Sequence, residues 1–253
     1  EMHAELLSSG RGSRQNPGEF RRSQNWIGGS RPGNAVFVPP PPDRVAECMS
    51  RLERFIHDES GRTPTLIKAA LAHLQFESIH PFLDGNGRLG RLLVTLLLCS
   101  EGALEEPLLY LSLYLKRHRD EYYALLQEVR ETGDWEAWVR FFLSGVAETS
   151  AQAVRTARDI LDLFDSDRER IRGLGRAAGS ALRVHDVLQH KPVISIPEAA
   201  ERSGLTPPTV SKTFDRLSQL ELIDEVTGKQ RNRVFVYVPY VDLISEGMEQ
   251  APG

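Results

Sequence analysis

Residues 63–99, TPTLIKAALAHLQFESIHPFLDGNGRLGRLLVTLLLC, decide how this chain is read. Thr63-Pro64 is a helix start, with proline at a position where a missing N–H costs little. Leu66, Ile67, Ala70, Leu71, Leu74 and Phe76 follow at helical spacing. The helix must end near Ile79, because His80 precedes Pro81 and the proline ring pushes it out of the α region. A second helix is expected from about Arg88, apolar nearly all round through Leu92 to Cys99, as suits the middle of a bundle. Two buried helices joined by a tight polar loop make this a mainly α fold.

The loop itself, His80 to Arg91, carries the chemistry. Gly85 and Gly87 permit backbone conformations closed to other residues, so successive N–H groups can converge just before a helix N-terminus, which is an anion site. Arg88 and Arg91 are three apart on the new helix, near a terminus that disfavours cations unless a multiply charged anion is bound; polyphosphate satisfies that condition. Asp84 is a hard oxygen ligand beside those phosphates, fitted to help hold a mostly hydrated Mg²⁺. His80 is the nearby group with an unperturbed pKa near neutrality, suited to act as a general base.

Other readings of the same residues fare worse. Gly85-x-Gly87-x-x-Gly90 matches a dinucleotide fingerprint, but a helix rather than a strand precedes it. No phosphate-binding GxxxxGK motif is present, and His73, His80 and Asp84 lack the spacing of a zinc site. A plain glycine-rich turn with a capping Asp would not need a histidine and two arginines in the same loop.

Outward toward the N-terminus, Asp43 can cap a helix carrying Val45, Met49, Leu52, Phe55 and Ile56. Pro39 to Pro42 form an extended connector, equally readable as a spacer or a binding element. Before it, residues 26–38 read as a β-hairpin around Ser30-Arg31-Pro32-Gly33-Asn34, and a short helix is expected near Leu6. Toward the C-terminus, helices are expected from Tyr110 to Arg130, from Asp134 through Trp135, Trp138, Phe141 and Phe142, and from Ala151 to Ile171. Gly173, Gly175 and Gly179 mark a boundary.

Beyond that boundary a helix at Ala181–Leu188, helices opening at Ile196 and Thr206, and a hairpin of Leu222-Ile223 with residues 234–238 read as a winged helix. From Arg176 onward nine Lys and Arg face ten Asp and Glu, net −1, unlike a dedicated DNA binder. Lys212 and Arg216 on the recognition-like helix and Lys229, Arg231 and Arg233 on the wing leave three readings open: a solvated face, a DNA contact, or a protein or dimer contact.

Composition narrows the rest. The 253 residues, 40% hydrophobic and 26% charged, suit one or two globular domains and exclude a disordered chain or a coiled-coil rod. A net charge of −4 gives no global reason to expect polyanion or membrane binding, and no apolar run approaches a membrane span. Cys48 and Cys99 form no disulfide framework, so a reducing compartment, the cytoplasm, is expected.

His80 to Arg91 matches in full the HPFxDGNGRxGR signature of the Fic family, which this chain resembles over residues 1 to about 172. The stretch Gly18–Gly28 (GEFRRSQNWIG), Tyr122-Tyr123 and Gly133-Asp134-Trp135 resemble the branch in which a winged helix often follows. The resemblance implies a Fic-type helical bundle with a small flap (1–172), a linker (173–180) and a winged helix-turn-helix domain (181–253). It implies AMPylation: transfer of AMP from ATP to a Ser, Thr or Tyr hydroxyl of a target protein, and to the chain itself, releasing pyrophosphate. The alternative is a winged-helix regulator whose Fic part senses nucleotide. By this resemblance His80 is the base and Asp84 holds Mg²⁺. Gly85, Asn86 and Gly87 form the anion hole. Arg88 and Arg91, with Gly90 between them, clamp the outer phosphates. Phe82 anchors the loop in the core, and Tyr122 and Tyr123 line the adenine and ribose site. Ile27, Gly28, Val36, Phe37 and Val38 form a flap that docks the target by main-chain pairing.

Related proteins carry an inhibitory Ser/Thr-x-x-x-Glu-Gly/Asn motif whose Glu pairs with the arginine equivalent to Arg91. Glu101-Gly102 and Glu246-Gly247 are preceded four residues back by Leu97 and Asp242, so neither matches. With Glu1 in first position, the expectation is a form from which that segment has been removed and which is de-repressed.

Overall fold

The computed structural model describes residues 1–10, 12–58, 62–107, 110–229 and 232–249. Arg11 and Arg231, the latter one of the wing's basic residues, lie outside them. The chain divides into two compact units, Glu1–Ser150 and Ala151–Gly253.

In the first unit, α1 (Met2–Leu6) precedes a long irregular segment, and α2 (Val45–Ile56), α3 (Thr65–Ile79), α4 (Asn86–Ser100), α5 (Leu111–Arg117) and α6 (Arg119–Thr132) follow. α7 (Trp135–Arg172) starts here, its first turn capped by Asp134, whose Oδ1 accepts from the N–H groups of Glu136 and Ala137. The centre is α3 against α4. Ala69, Ala70, Leu74, Phe76 and Ile79 of α3 are buried with Val94, Leu97 and Leu98 of α4, Leu126 of α6 and Phe142 of α7. Each large apolar side chain so buried contributes about 1.5–3 kcal/mol. Trp138 is fully buried, its indole N–H donating to the Ala70 carbonyl at 2.9 Å. α4 is less enclosed than its composition predicts: Leu92 and Leu96 remain over a third exposed, one turn apart on a single face.

The second unit contains the rest of α7, α8 (Ala178–His190), β1 (Val193–Ser195), α9 (Ile196–Ser203), α10 (Pro207–Gln219), β2 (Ile223–Glu225), β3 (Val234–Tyr237) and α11 (Val238–Glu249). The strands form an antiparallel sheet in the order β1-β3-β2, with Val193 opposite Val236 and Ile223 opposite Tyr237. Phe214 of α10 packs on Phe235 at 4.4 Å between ring centroids. A buried polar chain crosses this core. Gln189 Nε2 meets His185 Nδ1 at 3.1 Å, His185 Nε2 meets the Tyr237 hydroxyl at 3.1 Å, and that hydroxyl donates to Asp167 at 2.6 Å. Desolvation and the Asp167 acceptor both raise the Tyr237 pKa, keeping the donor protonated.

The expected architecture holds, with differences of local detail. Residues 26–38 make one antiparallel bridge, Ile27 to Phe37, rather than two strands, because a two-residue ladder is too short to propagate. The helix expected over Tyr110–Arg130 breaks at His118 into α5 and α6, whereas the two helices expected between Asp134 and Ile171 are one, α7, since no proline interrupts them. Arg44, not Asp43, occupies the cap position of α2, following a 3-10 turn at Pro42–Arg44. β1 and α11 had no sequence expectation. The units divide inside α7, and residues 173–180 include a 3-10 turn, Gly175–Ala177, that leads straight into α8. Among the described residues no helix is long and apolar enough to cross a membrane.

Candidate active site

The site is built on the turn between α3 and α4. His80 caps α3: its N–H still reaches the Phe76 carbonyl at 3.0 Å, and its backbone is left-handed, φ 48° and ψ 59°. A non-glycine residue in that region is strained by on the order of 1–3 kcal/mol and persists only when its surroundings over-determine it. Here they do. Arg21, 3% exposed, donates through Nε to the His80 carbonyl at 3.0 Å, through Nη2 to the carbonyls of Pro40 and, at 3.4 Å, of Ile79, and through Nη1 to that of Ser23 at 3.4 Å. Its main-chain N–H adds a bond to the Pro81 carbonyl at 2.9 Å. Asn25 Nδ2 donates to the carbonyls of Phe82 at 3.1 Å and of His80 at 3.5 Å, and Gln24 Nε2 to that of Pro39 at 3.0 Å. The proline connector is therefore more than a spacer, because its first carbonyls are acceptors that tie the N-terminal segment down.

The next residues are held from the other side. His3, buried, stacks on Phe82 at 3.7 Å between centroids. Its Nδ1 accepts from the Gly18 N–H at 2.8 Å, which leaves Nε2 to donate to the Asp84 carbonyl at 2.9 Å. Phe82 is buried, as expected of an anchor. Asn86 clamps it, accepting from the Phe82 N–H at 2.9 Å and donating to the Phe82 carbonyl at 2.8 Å. The Asn86 side chain thus shapes the loop, and what it offers an anion is its main-chain N–H.

Gly85, φ 84°, occupies the cap position of α4, a conformation that glycine adopts without a Cβ penalty. Its own N–H donates to Asp84 Oδ1 at 2.6 Å, so the first-turn N–H groups of Asn86 and Gly87 face the entrance of the helix, where a helix end has no partners of its own. Arg88 and Arg91 stand on the first two turns of the same helix, and Asp84 is half-buried beside it. Gly90 corrects an expectation. A Cβ there would lie 2.7 Å from Glu77 Oε1 and 3.2 Å from Phe76, and its carbonyl is bonded to His73 Nδ1 at 2.9 Å, so this glycine lets α4 approach α3. Tyr122 corrects another: it is 5% exposed, with its hydroxyl donating to His73 Nε2 at 3.0 Å, and belongs to the core. Tyr123, its neighbour, is exposed, with Arg119 over its ring. In the expected flap, Ile27 and Phe37 are half-buried and paired, Gly28 turns with φ 69°, and Val36 and Val38 are exposed.

Burial controls the electrostatics. It lowers the His80 pKa to about 4, against a raising contribution from the Glu77 carbonyl; Arg130 and Arg21 lower it further and Asp84 opposes them. The imidazole is therefore neutral at pH 7, and its Nδ1 is a buried atom without a hydrogen bond. His73 is likewise held neutral by burial, near 4. Glu77, one turn before His80, moves the other way: burial raises its pKa to about 7, against Arg91 and Arg130. A carboxyl raised in the folded state stabilises the fold below its unfolded pKa of about 4.5, and that contribution is lost as pH rises through about 7. Glu77→Gln is accordingly expected to gain on the order of 2–3 kcal/mol relative to the parent between pH 5 and pH 8 in denaturant unfolding of the full chain. An equal gap at both pH values would contradict this account of Glu77.

Residues 1–98 match the family model described as Fic/DOC family, and residues 180–224 match that of winged helix-turn-helix DNA-binding domains. Among curated proteins, the chain is 39% identical over 133 residues to protein adenylyltransferase Fic of Drosophila yakuba, covering 52% of this chain and 24% of that protein. It is 34% identical over 177 residues to the protein of the same name from Culex quinquefasciatus, covering 65% and 32% respectively. The chain thus spans about a quarter to a third of the length of these relatives. Among solved structures, a Fic family protein from Desulfovibrio desulfuricans shares the fold with a TM-score of 0.52 at 23% identity, covering 93% of this chain and 68% of that one.

Proposed function

We propose that this chain, which carries a Fic/DOC domain followed by a winged helix, is a protein adenylyltransferase that moves AMP from ATP to a Ser, Thr or Tyr hydroxyl of a target protein and of its own copies. The observation that carries the reading is a neutral, half-buried histidine locked in a left-handed turn beside a glycine-capped helix end bearing two arginines. The names of the curated relatives support the same reaction class.

In this reading His80 accepts the hydroxyl proton as the oxygen attacks the α-phosphorus, and the bond to pyrophosphate breaks. The N–H groups of Asn86 and Gly87 receive the negative charge that builds on the α-phosphate oxygens, while Arg88 and Arg91 hold the outer phosphates. Because His80 is neutral across the physiological range, no proton must leave it before it can act. Asp84 fits a hydrated Mg²⁺: it is a half-buried carboxylate beside the anion site, suited to give one hard oxygen while water and phosphate supply the others. Mg²⁺ bound there would offset phosphate charge. Tyr123 is left as the tyrosine available to the base and ribose. Val36 and Val38 flank an open edge against which a target segment can pair. In the winged helix, Lys212, Arg216 and Lys229 are exposed and suited to phosphate contact, and we assign the chain to the cytoplasm on its two free cysteines.

The test is incubation with ATP labelled at the α or the γ position. Label is expected on protein from the α position alone; incorporation from the γ position would assign phosphoryl transfer instead and overturn the proposal.

A further inference from the structure

Arg130, on the last turn of α6, has no part in the phosphate site, yet it joins three things that the reaction needs in register. Its guanidinium carbon lies 3.9 Å from the centroid of the Phe37 ring. Nη2 donates to the Glu77 carbonyl at 3.2 Å, and Nε to the Ser78 hydroxyl at 3.3 Å. Glu77 and Ser78 belong to the last turn of α3, the turn that ends in His80. Phe37 is one half of the flap's bridge: its N–H donates to the Ile27 carbonyl at 3.1 Å and its carbonyl accepts from the Ile27 N–H at 2.9 Å.

A single bridge does not hold a flap by itself. Its tip is closed locally, the N–H groups of Ser30 and Arg31 donating to Asn34 Oδ1 at 3.0 and 2.9 Å, and its base is tied by Gln24 and Arg21 to Pro39 and Pro40. Arg21 and Asn25, which donate to the His80 carbonyl, hold the base of the flap to the histidine turn. The stacked guanidinium holds the bridge itself, on its Phe37 side: its face covers Phe37 while its edge bonds the α3 terminus. Only a planar fork can serve a ring face and two in-plane acceptors together; an ammonium cannot.

We propose that Arg130 is the positioning residue of target docking, a latch that fixes the Ile27–Phe37 bridge to the α3 terminus and so sets the reach from a docked hydroxyl to His80. The proposal rests on the adenylyltransferase reading, with the flap as the target's docking edge.

The experiment uses the full chain carrying Arg130→Met, Arg130→Lys or Phe37→Leu. Amide exchange needs no activity: in Arg130→Met the Ile27 and Phe37 amides are expected to exchange at least about tenfold faster, with those of Leu74 and Phe76 in the core of α3 unchanged. For kinetics the acceptor is the same chain carrying His80→Ala, with α-labelled ATP. The acceptor KM is expected to rise about tenfold while the KM for ATP stays within about twofold, a split that general destabilisation would not produce. Arg130→Lys should restore neither quantity in full. The double variant with Phe37→Leu should be no worse than the more affected single one, because both act through one contact. Unchanged flap exchange, an ATP KM that rises with the acceptor KM, full rescue by Lys, or additive losses would each overturn the latch. Absent transfer by the parent chain would instead count against the reaction class, leaving the exchange measurement to judge the latch.

Discussion

Replacing His80 with alanine is expected to abolish transfer of label from α-labelled ATP while nucleotide affinity stays within about twofold. Removing a general base costs about 10²–10⁴ in rate, and here no neighbour is placed to substitute for it. Glu77 lies on the same helix end, but its carboxyl is buried against Gly90, and His73 is committed at both nitrogens to Gly90 and Tyr122. Nucleotide affinity should survive because the groups assigned to phosphate, the α4 N–H groups and its arginines, are built by Gly85 and by the Asn86 clamp on Phe82, not by the imidazole. The check is paired: protein labelling, and binding of a non-hydrolysable ATP analogue. Retained labelling would remove His80 from the mechanism; lost binding would mean that the loop collapses without it.

The second large effect belongs to a residue remote from any phosphate. Arg21→Met is expected to destabilise the first unit by about 3–5 kcal/mol and to lower turnover by at least about 10². The methionine can fill the volume of the stem, but the carbonyls of Ser23, Pro40, Ile79 and His80 lose their shared donor. Buried acceptors without donors cost about 1–3 kcal/mol each, partly recovered where the structure relaxes. Turnover falls further than stability alone requires, because the lost bond to the His80 carbonyl releases the strained turn that aims the ring. Arg21→Lys separates the two effects. It keeps one cation and some donors but not the fork, so it should fold nearer to the parent and still turn over slowly. Parent-like stability and turnover in Arg21→Met would show that the loop holds its shape without this clamp.

These two residues mark the limit of what is legible without coordinates. His80 stands out in the sequence because the signals that single it out are within a few positions: Pro81 ends one helix and Gly85 starts the next, with the polar loop between them. Arg21 is one of several arginines in a polar segment, and the bonds that make it structural reach residues 19 to 59 positions away. Nothing in the sequence marks His3, yet it stacks on Phe82 and bonds Asp84, 81 positions on. Tyr122 and Tyr123 show the same limit on a smaller scale. Adjacent residues on a helix point about 100° apart. One therefore enters the core to meet His73 and the other faces solvent, and only the neighbours of α6 determine which. Arg130 had no signal at all, since a cation at the end of a helix is satisfied by the helix dipole as readily as by a ring and a carbonyl.

The sequence by itself determined the helical class, the loop with its glycine-capped helix start, the candidate base and the winged helix that follows, because proline, glycine and helical periodicity act through local sterics that need no distant partner. Tertiary structure alone decided which residues hold the histidine in its left-handed turn, which glycine is a packing contact, which tyrosine remains accessible, and how the Ile27–Phe37 bridge is tied to the helix that ends in His80. Those outcomes depend on burial and on hydrogen bonds between segments far apart in the chain, and burial is also what keeps His80 neutral.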